Sequence, residues 1–183
     1  MIVMFLANGF EEVEALTPLD LLRRAGETII TVGIGGREIT GSHGITVLAD
    51  TDDAHLPSQA PDMIILPGGM PGSATLDTSS VVDRVLADAA TRDAYLTAIC
   101  AAPMILGKRG YLDGKQATCF PGFEEYLDGA TVRRDAGVVC DGKVITAAGM
   151  GVALDFGLAL VAALQGDEVA AKLRAAVQAS PRA

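Results

Sequence analysis

The sequence predicts an α/β protein built on a doubly wound, mostly parallel sheet with helices on both faces, and three observations carry that expectation. Short, largely apolar runs recur at Ile2 to Leu6, Asp62 to Leu66 and Tyr95 to Ile99, as in strands buried on both sides. Each run stops at a turn or junction: Asn8-Gly9, Pro67-Gly68-Gly69 and Cys100. Helical periodicity follows each one, and recurrent strand, turn and helix is the signature of a covered parallel sheet.

In chain order, the strand Ile2 to Leu6 leads to a helical pattern from Glu11 to Ala25. Glu11, Glu12 and Glu14 lie at its positive dipole end, Arg23 and Arg24 in its last turn, and Gly26 stops it. Pro18 is expected to bend this helix. Thr28 to Val32 reads as a second strand. Ile45 to Leu48 reads as a short β excursion entered through the turn Gly41-Ser42-His43-Gly44. After Asp62 to Leu66, a Gly/Ser loop leads to a helix from about Ser80 to Arg92. Tyr95 to Ile99 is followed by Cys100 and a helix that runs through Leu106 and stops near Gly110. Ala117 to Phe120, Val132 to Arg134, Val138 to Cys140 and Val144 to Ala147 supply further strands, the last two joined at Asp141-Gly142, a strong hairpin signal. Helices Ala153 to Leu164 and Glu168 to Val177 close the chain.

The 183 residues, half of them hydrophobic, suit one domain spanning 1–183. A net charge of -9 argues against nucleic acid or an anionic membrane as partner, because those surfaces need clustered Lys and Arg. No apolar stretch nears the roughly 20 residues needed to span a bilayer, and the first run breaks too early for a secretion signal, so the expected location is cytoplasmic. Cys100, Cys119 and Cys140 form an odd, widely spaced set without a C-x-x-C pair, and His43 and His55 are the only histidines. Neither a disulfide framework nor a metal centre is expected, and no cofactor.

Ligands of doubly wound sheets gather beyond the carboxyl ends of the strands, which directs attention to the loops after Leu6, Leu66 and Ile99. In Ala98-Ile99-Cys100-Ala101-Ala102-Pro103 a cysteine stands between a buried strand and a helix whose first turn suits Pro103. That is the layout of a nucleophile elbow. Amides at the start of a helix can lower a thiol from about 8.5 into a range of roughly 3.5 to 7.5. A small buried hydrophobe is the commoner fate of an unpaired cysteine, and that reading is kept for Cys119 and Cys140. Spacing does not choose among Glu11, Glu12 and Glu14, each of which also reads as a solvated first-turn acid. Gly68-Gly69 reads as a tight turn.

Taken together, Glu11-Glu12-Val13-Glu14-Ala15, Arg23-Arg24-Ala25-Gly26, Leu66-Pro67-Gly68-Gly69, the Cys100 segment, and Gly149-Met150-Gly151 before Asp155-Phe156 closely resemble the ThiJ/PfpI superfamily of class I glutamine amidotransferase-like proteins. Within it the sequence is similar to the branch of the Parkinson's-disease-associated deglycase and YajL-type bacterial proteins. The resemblance covers nearly the whole chain. It implies a flavodoxin-like fold, a homodimer, and a reactive Cys100 whose sulfur receives a hydrogen bond from a protonated Glu14, with Glu11 and Glu12 left as surface acids. It also implies that the amides of Gly69 and Ala101 form an oxyanion hole. His43 falls where some relatives have an arginine reaching the partner's site, but an imidazole is shorter and often neutral, so a loop histidine in water is the reading preferred, as for His55. Arg24 is a further candidate, for holding anions near the dimer interface.

Two departures narrow the chemistry. Ala101 follows Cys100 and no histidine lies beyond His55, so a Cys-His-acid triad in the order of protease or amidotransferase relatives cannot be built. Phe120 stands where some relatives place a histidine. The sequence itself suggests only the nucleophile, and what the resemblance implies is glyoxalase- or deglycase-like action on a small reactive carbonyl or glycated substrate. The alternative is a redox sensor or chaperone-like protective protein read through oxidation of Cys100.

Overall fold

The structure, a computed structural model, describes residues 1–179. Eleven strands are present among them: β1 Ile2–Leu6, β2 Ile29–Gly33, β3 Glu38–Thr40, β4 Thr46–Leu48, β5 Thr51–Asp52, β6 Met63–Leu66, β7 Tyr95–Ile99, β8 Gln116–Ala117, β9 Thr131–Val132, β10 Val138–Asp141 and β11 Val144–Ala147. The helices are α1 Glu12–Arg24, α2 Gly72–Asp77, α3 Ser80–Thr91, α4 Pro103–Gly107, α5 Ala153–Gln165 and α6 Asp167–Ala176. Seven strands form the central sheet in the order β10-β11-β7-β6-β1-β2-β5. All its pairings are parallel except β10 with β11, which Asp141-Gly142 turns into a hairpin. The expected doubly wound, flavodoxin-like α/β architecture is the one observed.

Alternation along the strands feeds two cores. Val3, Phe5, Ile64, Leu66, Leu96 and Ala98 face α2, α3 and α4, meeting Leu76, Val82, Leu86, Ile105 and Leu106. Ile2, Met4, Leu6, Met63, Ile65 and Ile99 face the other way, against Leu22 of α1 and Phe156, Leu160 and Val161 of α5. Because every one of these strand positions is buried, the runs are apolar throughout rather than alternating. Phe156 is fully buried, so truncation to Ala is expected to cost about 3–5 kcal/mol.

Glu11 caps α1: its carboxylate accepts the Glu14 amide at 2.7 Å. The helix continues on both sides of Pro18, which lies against α5 where Gly157 leaves room. A Cβ at Gly157 would stand 2.6 Å from Leu21 Cδ1 and 3.0 Å from Pro18 Cα. This close approach locks α1 onto α5 and fixes where the first turn of α1 points.

The remaining elements differ from expectation in ways that packing explains. Gly72 begins α2 instead of lying in a loop, and it is packed so tightly on the β1–α1 connection that a Cβ there would meet the Phe10 amide nitrogen at 2.7 Å. The helix expected from Cys100 to Gly110 shrinks to the five residues of α4, since Cys100, Ala101 and Ala102 form a turn. Only Gln116–Ala117 and Thr131–Val132 become strands, paired parallel to each other outside the central sheet, and Thr118 to Phe120 and Arg133 to Arg134 do not join them. No helix among the described residues is long and apolar enough to cross a membrane.

Candidate active site

The parallel register of β1, β6 and β7 brings the loops after them together. Three stretches distant in sequence, around Glu14, Gly68-Gly69 and Cys100, therefore meet at one end of the sheet. Cys100 has φ +66°, a region few residues other than glycine occupy, at a cost of about 1–3 kcal/mol. Its backbone is tied on both sides. The Cys100 amide donates to the Ala147 carbonyl at 2.9 Å, and its carbonyl accepts the Phe120 amide at 2.9 Å. The left-handed conformation turns the thiol to the backbone amides of Gly69 and Ala101, both of which hydrogen-bond the sulfur.

Glu14 lies beside it, only 1% exposed. Its carboxyl shares a hydrogen bond with Cys100 and accepts the Gly68 amide at 3.1 Å and the Met150 amide. Gly68 is a requirement of space: a Cβ there would stand 2.3 Å from Glu14 Oε2 and 2.5 Å from Cys100 Cβ. Sequence reasoning gave Gly68 only a turn and gave Met150 no role. A backbone amide leaves no trace in residue chemistry, so no signal would have found them.

Burial pushes the Glu14 carboxyl up to about 7, with the Glu11 charge adding to the rise and the bonds from Cys100, Gly68 and Met150 opposing it. Burial also pushes the Cys100 thiol up, to about 12, helped by the charge of Glu14 and the bond to it, against the pull of the Ala101 and Gly69 amides. This corrects the expectation of a thiol lowered below 8.5 by a helix end. α4 is too short to supply much dipole, and desolvation beside a second acid outweighs it. Two anions cannot share this space, so the pair titrates as a unit and keeps one proton through neutral pH. Whichever atom holds that proton, the two amides favour negative charge on sulfur.

Glu12 overturns its reading as a solvated acid. It is 4% exposed and clamps the loop that joins β3 to β4. Its Oε1 accepts the amides of His43 at 2.8 Å and Ile45 at 3.4 Å, and its Oε2 lies 2.9 Å from His43 Nδ1. A Cβ at Gly41 would press on its Oε1 at 2.3 Å, so the loop closes on the carboxylate. Burial would raise this group, but the bond from His43 and the backbone amides hold it at about 2. His43 is exposed, as expected of a loop residue, and its Nδ1 meets both Glu12 and, at 3.1 Å, Ser42 Oγ. Glu11 stays half-exposed. His55 is exposed and pairs with Asp52 at 2.7 Å, and Arg24 pairs along α1 with Asp20 at 2.6 Å.

Glu11, Glu12 and His43 bring ligand-type atoms within 4.8 Å of one another, and the hydrogen bonds just described account for that cluster. Cys119 is buried, which pushes its thiol up to about 11. Cys140 departs from its reading as a packed residue, because it is exposed on the edge strand β10.

The chain is similar to known proteins in sequence and in fold. Residues 1–163 match the model of the DJ-1/PfpI family. The chain is 36% identical to the dj-1beta protein of Drosophila melanogaster over 168 residues, 91% of this chain and 90% of that one. It is 36% identical to the Parkinson disease protein 7 homolog of Danio rerio over 179 residues, 94% of each chain. It is 29% identical over 159 residues to a Caenorhabditis elegans protein named glutathione-independent glyoxalase DJR-1.2, covering 86% of this chain and 84% of that one. The crystal structure of Drosophila melanogaster DJ-1beta superposes with a TM-score of 0.93 at 33% identity, covering 98% of both chains. By sequence and by fold, the chain belongs to the DJ-1/PfpI family.

Proposed function

We propose that this protein acts on reactive carbonyl compounds through Cys100 and Glu14, in a glyoxalase- or deglycase-like reaction. One observation carries the reading: a cysteine at positive φ, its sulfur facing two backbone amides and a buried carboxyl that shares a proton with it. The glyoxalase name of the Caenorhabditis elegans relative supports it.

The reaction on a 2-oxoaldehyde runs as follows. The Cys100 sulfur adds to the aldehyde carbon, and the carbonyl electron pair takes the proton from Glu14, giving a hemithioacetal. The Gly69 and Ala101 amides support the oxygen as charge develops on it. The Glu14 carboxylate then removes the proton from that same carbon while the neighbouring carbonyl oxygen takes one up, giving an enediol. The hydroxyl on the sulfur-bearing carbon then gives up its proton as the neighbouring carbon gains one, leaving a thioester beside a new hydroxyl. Water attacks the thioester, the carbon–sulfur bond breaks, and a 2-hydroxy acid leaves with the thiol restored. One water is consumed and no oxidant is needed.

The test is steady-state turnover of methylglyoxal by the native chain and by Cys100→Ser. Turnover that disappears with the sulfur is the expected result, and equal rates in the two proteins would overturn the proposal.

A second reading rests on the same groups. Glu14 and the two amides can donate to the oxygens of a Cys100 sulfinate, as a redox sensor requires. For assembly, we infer a homodimer. Val13 and Ile45 are exposed, and a groove of about 520 Å³ lined by Val13, Leu16, Leu21, Ile45 and Leu154 leaves the outer face of α1 open for a second copy. A monomeric mass by light scattering at micromolar concentration would count against it.

A further inference from the structure

We propose that Phe120 and Met150 form an apolar seat beside Cys100 that selects carbonyl substrates carrying an aromatic or other bulky apolar group next to the aldehyde. The proposal rests on the carbonyl reading above and names the substrate class for that site.

Phe120 and Met150 are two of the few large hydrophobic side chains left open to solvent, 48% and 54% exposed. Single exposed apolar residues need no explanation, but the backbones of these two are tied to the reactive pair. The Phe120 amide is bonded to the carbonyl of Cys100 itself, and the Met150 amide to the Glu14 carboxyl. Each side chain is thus anchored by its own backbone to one of the two reacting groups.

The position of the ring is set by Gly149. A Cβ at that residue would stand 3.2 Å from Phe120 Cδ2 and 3.8 Å from Glu14 Oε1. With no side chain there, the ring rests against bare backbone on the same side as the carboxyl. The Phe120 backbone is braced further by the Phe123 amide, which donates to its carbonyl at 3.1 Å.

A small aldehyde such as methylglyoxal reaches Cys100 without covering either side chain. An aromatic 2-oxoaldehyde places its ring where Phe120 and Met150 are exposed, removing apolar surface of both partners from water and gaining ring-to-ring contact. An apolar contact of this kind discriminates by roughly tenfold or more. The expected gain lies in capture of the substrate, because the seat touches the substituent and not the bonds that change.

The experiment compares kcat/KM for phenylglyoxal and methylglyoxal in the native chain, Phe120→Ala and Phe120→Leu. It is joined by the rate at which N-phenylmaleimide and iodoacetamide modify Cys100, read by peptide mass spectrometry. The native protein is expected to favour phenylglyoxal by about tenfold or more, with most of that preference lost in Phe120→Ala through KM and part of it kept in Phe120→Leu. Thermal melting of each variant shows that the fold persists. A preference ratio unchanged in Phe120→Ala would overturn the seat while leaving the carbonyl reading intact. Absence of turnover with both aldehydes would overturn the carbonyl reading, and the reagents then decide the seat alone. Phenylmaleimide losing its advantage over iodoacetamide in Phe120→Ala supports the seat, and an unchanged advantage removes it.

Discussion

Gly68 and Glu14 approach so closely that no side chain fits between them: the Gly68 amide donates to Glu14 Oε2 at 3.1 Å, and a Cβ on Gly68 would stand 2.3 Å from that oxygen. Gly68→Ala must push either Glu14 or Cys100 aside. Overpacking of this kind costs about 1–3 kcal/mol, so the urea midpoint should fall and alkylation of Cys100 should change with it. An unaltered midpoint and rate would mean that the glycine is only a turn.

The two glutamates of the first turn make opposite demands on pH. Glu12 sits near 2, below its ordinary 4.5, so its stabilisation is present above about 4.5 and is lost as pH falls toward 2. Glu14 sits near 7, above 4.5, so its stabilisation belongs to the protonated form, is full below 4.5 and is lost as pH rises through 7. Stability should therefore peak close to pH 4.5 from these two groups. Glu12→Gln should flatten the acid limb and Glu14→Gln the neutral limb, the latter by a few kcal/mol. Chemical denaturation across pH 2 to 9 measures both limbs, and variants that keep them would show that the clamp or the pair has been misassigned.

His43 adds a smaller alkaline effect. The bond from Glu12 raises its pKa, so the contribution is complete below about 6.5 and disappears as pH rises through the raised value. His43→Ala should remove this slope and loosen the loop between β3 and β4, seen as faster amide exchange at Ile45. Exchange at the native rate would leave the histidine without a structural part.

Graded peroxide followed by peptide mass spectrometry should give sulfinate at Cys100 before Cys119 and Cys140. Burial pushes both Cys100 and Cys119 up, to about 12 and about 11, so the order expected rests on access and on the carboxyl and amides that face the Cys100 sulfur, whereas Cys119 is buried. Cys140, exposed on its edge strand, tests whether access alone sets the order. Glu14→Leu should slow the accumulation at Cys100. Equal oxidation of all three thiols would rule the idea out.

The sheet was legible because strands buried on both faces leave short apolar runs closed by turn residues or a junction, and β1, β6, β7 and β11 all fall within the predicted runs. The elbow was legible for the same reason, since Cys100 follows such a run directly. What escaped was decided by tertiary contact. Glu12 and Glu14 are two residues apart on one helix, yet one is fastened by a loop some thirty residues away and the other by the turns that follow β6 and β7, farther still. Local spacing holds no record of those partners. The two-residue strands β5, β8 and β9 are too short for any periodicity to show.

The meeting of Glu14, Gly68 and Cys100 at the ends of β1, β6 and β7 also has a bearing on how the chain is made. Parallel neighbours pair only after long loops close, and such contacts form late. Until β7 docks beside β6, the thiol of Cys100 has neither its amides nor its carboxyl and behaves as an ordinary cysteine. A chain still emerging from the ribosome therefore lacks the paired carboxyl and the facing amides, and the thiol meets them only when folding is complete.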